Sequence, residues 1–110
     1  PGLIATAFTM EQTFYIERLK AAGLRVIIPG DADRTEVHRI IYEELCRGIT
    51  TADSRSFFEK VALDLMDRGA DCIILGCTEV GMLLGEHNVS APVFDTTVIH
   101  CEAAVDWALR

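Results

Sequence analysis

The sequence predicts an α/β fold in which helices cover a doubly wound, parallel, four-stranded sheet. Two observations predict it. Short apolar runs alternate with segments of helical periodicity, and the run 72–75 has no polar alternation, as a strand buried on both faces requires. Strands that alternate with helices pair in parallel, because the chain returns across the sheet through each helix.

The four predicted strands are short and close on turn residues. They occupy residues 3–7, 25–28, 72–75 and 93–94, and Pro29-Gly30 ends the second of them. The first helix begins at Thr9, where Thr9 and Gln12 match a capping box, and it stops at Gly23.

The remaining predicted helices follow from apolar stripes at helical spacing. One runs from about 35 to 47 and ends before Gly48, and another runs from about 54 to 68 and ends before Gly69. A short helix is predicted from about 79 to 84. A final helix, 97–109, is apolar on two faces. Residues 1–96 are therefore predicted to form one α/β lobe, and 97–110 a helix that packs beyond it.

Length and charge exclude several classes of protein. A chain of 110 residues forms a single domain. A net charge of −7 argues against binding to nucleic acid or to anionic membranes, but not against an acidic small-molecule substrate in a locally positive pocket. No apolar run approaches the roughly 20 residues of a transmembrane helix. Because the chain enters its first strand at once, we expect it to be a piece of a longer protein.

The four cysteines, Cys46, Cys72, Cys77 and Cys101, show no spacing typical of a zinc site. We therefore predict no metal, and reduced thiols in a cytoplasmic protein.

Cys77 has the best setting for a reactive thiol. It follows the run 72–75, and ligands of open parallel sheets bind beyond the carboxyl ends of strands. A helix that begins at Glu79 would offer its positive N-terminal end, which lowers a thiol pKa. Thr78 offers a hydroxyl and an N–H to a carboxylate. The alternative is a small buried cysteine that ends a strand.

Two further strand ends and one helix end carry candidate polar groups. Thr6 and Thr9 could bind an anion, or could cap and turn the chain. Asp95-Thr96-Thr97 with His100 could support a site, or could be a helix cap and a buried histidine. Arg47 could balance an anion, or could cap helix carbonyls.

Several motifs together resemble the aspartate/glutamate racemase family, and its aspartate racemase branch most. They are Leu-Ile-Ala-Thr-x-x-Thr-Met from Leu3, Glu-Leu-x-x-Gly around Arg47, and Phe-Asp-Thr-Thr-x-Ile-His, which ends at His100. The most specific is Gly-Ala-Asp-x-Ile-Ile-Leu-Gly-Cys-Thr-Glu, residues 69–79. The likeness extends over nearly the whole chain.

The resemblance implies a fold of two similar lobes with a substrate cleft between them. Each lobe supplies one cysteine, and neither pyridoxal phosphate nor a metal is used. This chain looks like the second lobe, and Cys77 looks like its catalytic cysteine. The first lobe and its cysteine are not in this sequence. The final helix is expected to cross back to that lobe, the chain alone to be inactive, and the intact protein to form homo-oligomers.

The resemblance also implies roles for other residues. Thr78 and Thr6 match positions that hold the substrate α-carboxylate, and an acidic amino acid is the favoured substrate. Glu79 could orient or deprotonate the Cys77 thiol. Arg47 occupies a position where this branch usually has lysine. The positive charge is kept, but a planar guanidinium replaces an ammonium group, so the hydrogen-bonding geometry differs. Thr9, Thr97 and His100 are expected to support the site.

Two alternatives stay open. The chain could belong to a relative with the same lobes and different proton chemistry, such as a hydantoin racemase, a decarboxylase or a maleate isomerase-like enzyme. It could also be a non-catalytic lobe that binds anions.

Overall fold

The computed structural model describes residues 1–6, 10–11, 13–96, 103–106 and 108. Within this part of the chain, β1 is followed by three successive α-helices and then by two further strands, with a short 3-10 helix after the second α-helix and another between the last two strands. In chain order they are β1 (Gly2–Ile4), α1 (Thr13–Ala21), α2 (Asp31–Glu43), a 3-10 helix (Leu45–Arg47), α3 (Ala52–Asp67), β2 (Ile73–Leu75), a second 3-10 helix (Val80–Met82) and β3 (Val93–Asp95).

The three strands form one parallel sheet in the order β1-β2-β3. The predicted buried strand is thus the central one, and its neighbours shield both of its edges. The register aligns Ile4, Leu75 and Asp95, so the chain leaves all three strands at the same edge of the sheet.

The prediction of four strands needs correction, because the described residues form three. The segment 25–28 contributes one parallel bridge, between Ile27 and Gly2. It rests on two hydrogen bonds, from the Leu3 N–H to the Ile27 carbonyl and from the Ile27 N–H to the Pro1 carbonyl, each 2.9 Å long. Pro29 has no N–H to extend the ladder. Helices on both faces of the sheet stay a prediction.

Gly23 and Gly69 follow the ends of α1 and α3, as predicted, whereas α2 already ends at Glu43 and Gly48 follows the 3-10 helix Leu45–Arg47. Gly23, Gly48 and Gly69 all have positive φ, which glycine adopts at little cost. α2 begins at Asp31, four residues earlier than the apolar stripe suggested, because the carboxylates of Asp31 and Asp33 favour a helix N-terminus. The predicted short helix at 79–84 is a 3-10 helix of three residues.

The core lies between the sheet and the apolar faces of α2 and α3. Phe58, Val61 and Leu65 of α3 are buried together with Leu3 and Ile73 of the strands. The stripes that predicted the helices are thus the faces that pack, and their burial is the main source of stability.

A polar contact joins the end of α2 to the start of α3. The Glu44 carboxylate accepts hydrogen bonds from the buried Ser54 hydroxyl at 2.6 Å and from the Arg39 guanidinium at 3.3 Å. Thr51 caps α3 by accepting a hydrogen bond from the Ser54 N–H at 3.0 Å. The intervening Leu45–Arg47 segment is therefore held between two anchored helices.

Thr51→Ala is expected to lower the free energy of unfolding by about 1 kcal/mol, because the Ser54 N–H loses its acceptor. Urea denaturation of the protein is the measurement. Thr50→Ala is the matched control, since Thr50 is exposed and precedes the cap. Equal losses in the two variants would show that the cap contributes nothing specific.

The segment after β3 is described only in part. Residues 103–106 and 108 are helical, and Ala103, Ala104, Val105 and Asp106 are exposed in succession. Four consecutive exposed residues cover most of a helix circumference, so these residues do not pack on the lobe. Trp107 lies outside the described residues, and the crossing of this helix to another lobe stays a prediction. No helix in the described part of the chain is long and apolar enough to cross a bilayer.

Candidate active site at the carboxyl edge of the sheet

The carboxyl edge of the sheet brings together segments that are far apart in the sequence. Thr6 follows β1, Cys77 follows β2, and Thr96 follows β3 directly. The Gly76 N–H donates to the Ile4 carbonyl at 3.0 Å, which extends the β1–β2 pairing to the residue before Cys77. A Cβ on Gly76 would lie 3.1 Å from side-chain atoms of Ala5 and Leu3, so glycine favours this close approach of the two strands.

Cys77, Thr78 and Glu79 form a hydrogen-bonded group. The Cys77 thiol donates to Oε2 of Glu79 at 2.9 Å, and the Thr78 hydroxyl donates to the same oxygen at 2.6 Å. Cys77 and Glu79 are partly buried, whereas Thr78 is exposed. The Glu79 carboxylate therefore fixes the orientation of the thiol, and the Thr78 hydroxyl fixes the carboxylate.

The expectation of a lowered thiol pKa is wrong. Burial, followed by the hydrogen bond to the Glu79 side chain, raises the pKa of Cys77 to about 11, and the Glu79 backbone N–H acts in the opposite direction. The 3-10 helix Val80–Met82 is too short to supply the helix dipole on which that expectation rested. The hydrogen bonds from Cys77 and Thr78 lower the pKa of Glu79. At neutral pH the pair is thus a thiol beside a carboxylate.

Cys77 is therefore expected to react with iodoacetamide more slowly than the exposed Cys46 at pH 8, the reverse of what the sequence suggested. A thiol with a pKa of about 11 is roughly 0.1% ionised at pH 8, and the thiolate is the nucleophile. Its alkylation rate should rise about tenfold per pH unit up to its pKa. Peptide mapping by mass spectrometry after limited labelling is the measurement.

Glu79→Gln should lower the Cys77 pKa and speed its alkylation, because the variant removes a neighbouring negative charge. Glu17→Gln removes an exposed carboxylate from α1 and serves as the control. Preferential labelling of Cys77 at pH 8, or an unchanged rate in Glu79→Gln, would contradict the assignment.

The remaining predicted site residues are placed as follows. Thr6 is half-buried, and its carbonyl accepts from the Met10 N–H at 3.0 Å. Arg47 is exposed at the end of the first 3-10 helix. Its neighbour Cys46 adds slightly to the raised pKa of Cys77, so this segment lies within electrostatic range of the thiol. Thr9, Thr97 and His100 fall outside the described residues.

Sequence reasoning missed two contacts of this site. The Thr96 hydroxyl donates to the Leu75 carbonyl at 2.8 Å. A Cβ placed on Gly81 would lie 2.6 Å from Oδ2 of Asp95, so the Asp95 side chain rests directly on Gly81. Asp95-Thr96 had stood out as a helix cap, but no sequence pattern indicated which backbone it contacts. The described residues hold no group of three or more His, Cys, Asp or Glu side chains arranged for a metal ion.

Two solved structures share this fold. The chain superposes on an Asp/Glu racemase candidate from Yersinia pestis with a TM-score of 0.92 and 50% identity, over 99% of this chain and 48% of the other. It superposes on an aspartate racemase homologue from Pyrococcus horikoshii with a TM-score of 0.89 and 33% identity, over 99% and 48%. The chain thus spans about half the length of each.

Sequence comparison agrees with these superpositions. An uncharacterised protein encoded in the pnlA 3' region of Pectobacterium carotovorum subsp. carotovorum is 31% identical over 108 residues, which are 96% of this chain and 71% of the relative. The family described as Asp/Glu/Hydantoin racemase matches residues 1–104. With nearly its whole length matched in sequence and in fold, the chain belongs to the Asp/Glu/Hydantoin racemase family.

Proposed function

We propose that this chain is one lobe of a cofactor-independent amino-acid racemase that inverts the α-carbon by proton transfer to and from two cysteines. The observation that carries the proposal is the Cys77–Glu79 hydrogen bond of 2.9 Å, just beyond the central strand. Inversion needs a proton donor on one face of the α-carbon and an acceptor on the other. A half-buried thiol oriented by a fixed carboxylate can donate its proton, and the thiolate that remains can accept one.

Cys77 begins one direction of the reaction as the donor. Its raised pKa keeps the proton on sulfur until a carbanion forms beside it, and the proton then passes from Sγ to the α-carbon. In the other direction Cys77 must be a thiolate, which takes the α-proton. Donation of its proton leaves Cys77 as that thiolate, and Glu79 orients the sulfur through the 2.9 Å contact. The α-ammonium group of a bound substrate assists, because a nearby positive charge lowers the thiol pKa.

Binding of the substrate α-carboxylate is assigned to Thr78 and Thr6. Thr78 is exposed one residue from the thiol, and Thr6 leaves the neighbouring strand at the same edge. Their hydroxyls can place the α-carbon beside Sγ. Arg47 is assigned to the substrate side chain, since its guanidinium is exposed on a segment within electrostatic range of Cys77. A guanidinium binds a carboxylate in a two-point contact, which favours an acidic amino acid.

The second cysteine is assigned to another lobe. The chain corresponds to 48% of the length of both solved relatives, which leaves room for a second unit of similar size. Apolar surface remains for such a unit or for a second copy in a homo-oligomer: Phe94 is 46% exposed, and with Ile74 and Leu24 it lines a groove of about 430 Å³. A patch of this kind favours a partner surface.

One alternative has direct support. The family description includes hydantoin racemases, whose substrate has no α-carboxylate. Arg47 and the Thr6–Thr78 pair would then have no anionic partner. A decarboxylase or a maleate isomerase-like enzyme would use the same lobes, and a non-catalytic anion-binding lobe would use the same polar edge without the proton transfer.

Deuterium exchange separates these possibilities. The intact protein, dialysed against a chelator, is incubated in D₂O with each enantiomer of aspartate and glutamate and with a 5-substituted hydantoin. Nuclear magnetic resonance follows loss of the α-proton, and chiral chromatography follows inversion. We expect exchange with inversion for an acidic amino acid. Exchange of the hydantoin alone would support the alternative, and binding without exchange would support the anion-binding lobe.

A further inference from the structure

We infer that the end of β3 is a positioning device for the catalytic turn, defined as residues 76–82: Thr96 holds the backbone before this turn, and Asp95 packs on Gly81 within it. The inference rests on the proposed role of Cys77. It adds to that role two residues, Thr96 and Gly81, that are not members of the hydrogen-bonded group Cys77–Thr78–Glu79. Both would act through the geometry of the turn.

The first anchor is a hydrogen bond across the sheet. The Thr96 hydroxyl donates to the Leu75 carbonyl at 2.8 Å, 21 residues away in the sequence. Leu75 is the last residue of β2 and stands opposite Asp95 in the register. The bond therefore fixes the peptide from which the turn departs, two residues before Cys77.

The second anchor is steric. A Cβ built on Gly81 would lie only 2.6 Å from Oδ2 of Asp95. A side chain at this position would therefore force the Asp95 carboxylate to move. Gly81 does not have positive φ, so glycine here leaves space for the Asp95 carboxylate and does not serve an unusual backbone conformation. The absence of a side chain lets the carboxylate settle on the 3-10 helix Val80–Met82, two residues after Glu79.

The two anchors bracket the Cys77–Glu79 pair. The Arg55 guanidinium adds a third contact from α3, donating to the Met82 carbonyl at 3.3 Å. Cys77 and Glu79 are only two residues apart, so the Sγ–Oε2 distance depends on the conformation of the short backbone between them. Holding both ends of that backbone keeps the thiol aimed at the carboxylate, as a proton-transfer pair requires.

Four variants of the intact protein test the inference through the pH dependence of Cys77 alkylation, followed by peptide mapping. Thr96→Val removes the hydroxyl and keeps the shape, while Thr96→Ser keeps the hydroxyl. Gly81→Ala introduces the clash with Asp95. Gly30→Ala adds the same methyl group where nothing lies within 4 Å, and serves as the control.

Thr96→Val and Gly81→Ala are expected to loosen the Cys77–Glu79 hydrogen bond and to lower the thiol pKa by about one unit. At pH 9 Cys77 should then react about tenfold faster than in the unaltered protein. Thr96→Ser and Gly30→Ala should retain the original profile. In the Asp95→Ala background, Gly81→Ala should cause no further change, because the clash is gone.

Superimposed profiles for Thr96→Val, Gly81→Ala and the unaltered protein would overturn the inference. So would a shift in Thr96→Ser as large as that in Thr96→Val, since the hydroxyl would then not matter. Because alkylation needs no turnover, these results stand even if the intact protein racemises nothing. If Thr96→Val does not fold, Gly81→Ala and its rescue by Asp95→Ala decide the question.

Discussion

Cys77→Ala should lower kcat/KM for racemisation by the intact protein by about 10³-fold, the middle of the range for loss of a general acid–base group. The substitution removes the only atom of this lobe assigned to exchange a proton with the α-carbon. The rates of racemisation from both enantiomers should fall, because Cys77 donates the proton in one direction and accepts it in the other. Rates from either enantiomer, measured by chiral chromatography, give the comparison.

Substrate affinity should change much less, since the α-carboxylate is assigned to Thr78 and Thr6. Cys72→Ala is the matched control. It removes a half-buried thiol just before β2, at the opposite end of this strand from the catalytic turn. Racemisation by Cys77→Ala within tenfold of the unaltered rate would remove Cys77 from the mechanism. A comparable loss in Cys72→Ala would show that thiol removal acts through folding.

Residues 1–110 on their own are expected to show no measurable inversion of an amino acid, whereas the two-lobe protein should be active. A single thiol can exchange a proton on one face of the α-carbon, but inversion needs a second group on the opposite face. The assay is the same deuterium exchange, and circular dichroism checks that the lobe is folded. Addition of a separately produced first lobe should restore activity.

Cys46 supplies the sharpest control for this prediction. It is an exposed thiol next to Arg47, the residue assigned to the substrate side chain. Inversion by the lobe that disappears in Cys46→Ser would make Cys46 the second base and would contradict the two-lobe proposal. Inversion that survives in Cys46→Ser would contradict the two-cysteine mechanism altogether.

Much of the architecture could be predicted from local sequence patterns. The unbroken run around Ile73–Leu75 predicted a buried strand, and it is the central strand of the described sheet, although Ile74 on one face is only half-buried. The stripes of α2 and α3 predicted the faces that are buried, and Gly69 predicted the end of α3, whereas α2 ends at Glu43, before the predicted stop at Gly48. These features depend on periodicity and on backbone conformation, which neighbouring residues determine.

The placement of Cys77 beyond a strand end was predictable for the same reason, whereas its chemistry was not. The pKa of a thiol depends on how far it is buried and on which charge lies beside it. The contact of 2.9 Å with Glu79 is set by a turn that the sequence suggested would be a helix. A position at the start of a helix lowers a thiol pKa, whereas burial and a hydrogen bond to a carboxylate raise it. The predicted shift of the Cys77 pKa therefore had the wrong direction.

The sequence by itself determined the α/β class, the buried central strand and the motif that ends in Cys77-Thr78-Glu79. Only the tertiary structure decided that the segment around Ile27 makes a single bridge, that Thr96 and Asp95 hold the catalytic turn, and that Cys77 rests as a thiol. Strand pairing, contacts between distant residues and desolvation depend on the whole packed chain. Local patterns indicate which secondary structure a segment favours, and tertiary packing determines whether the segment adopts it.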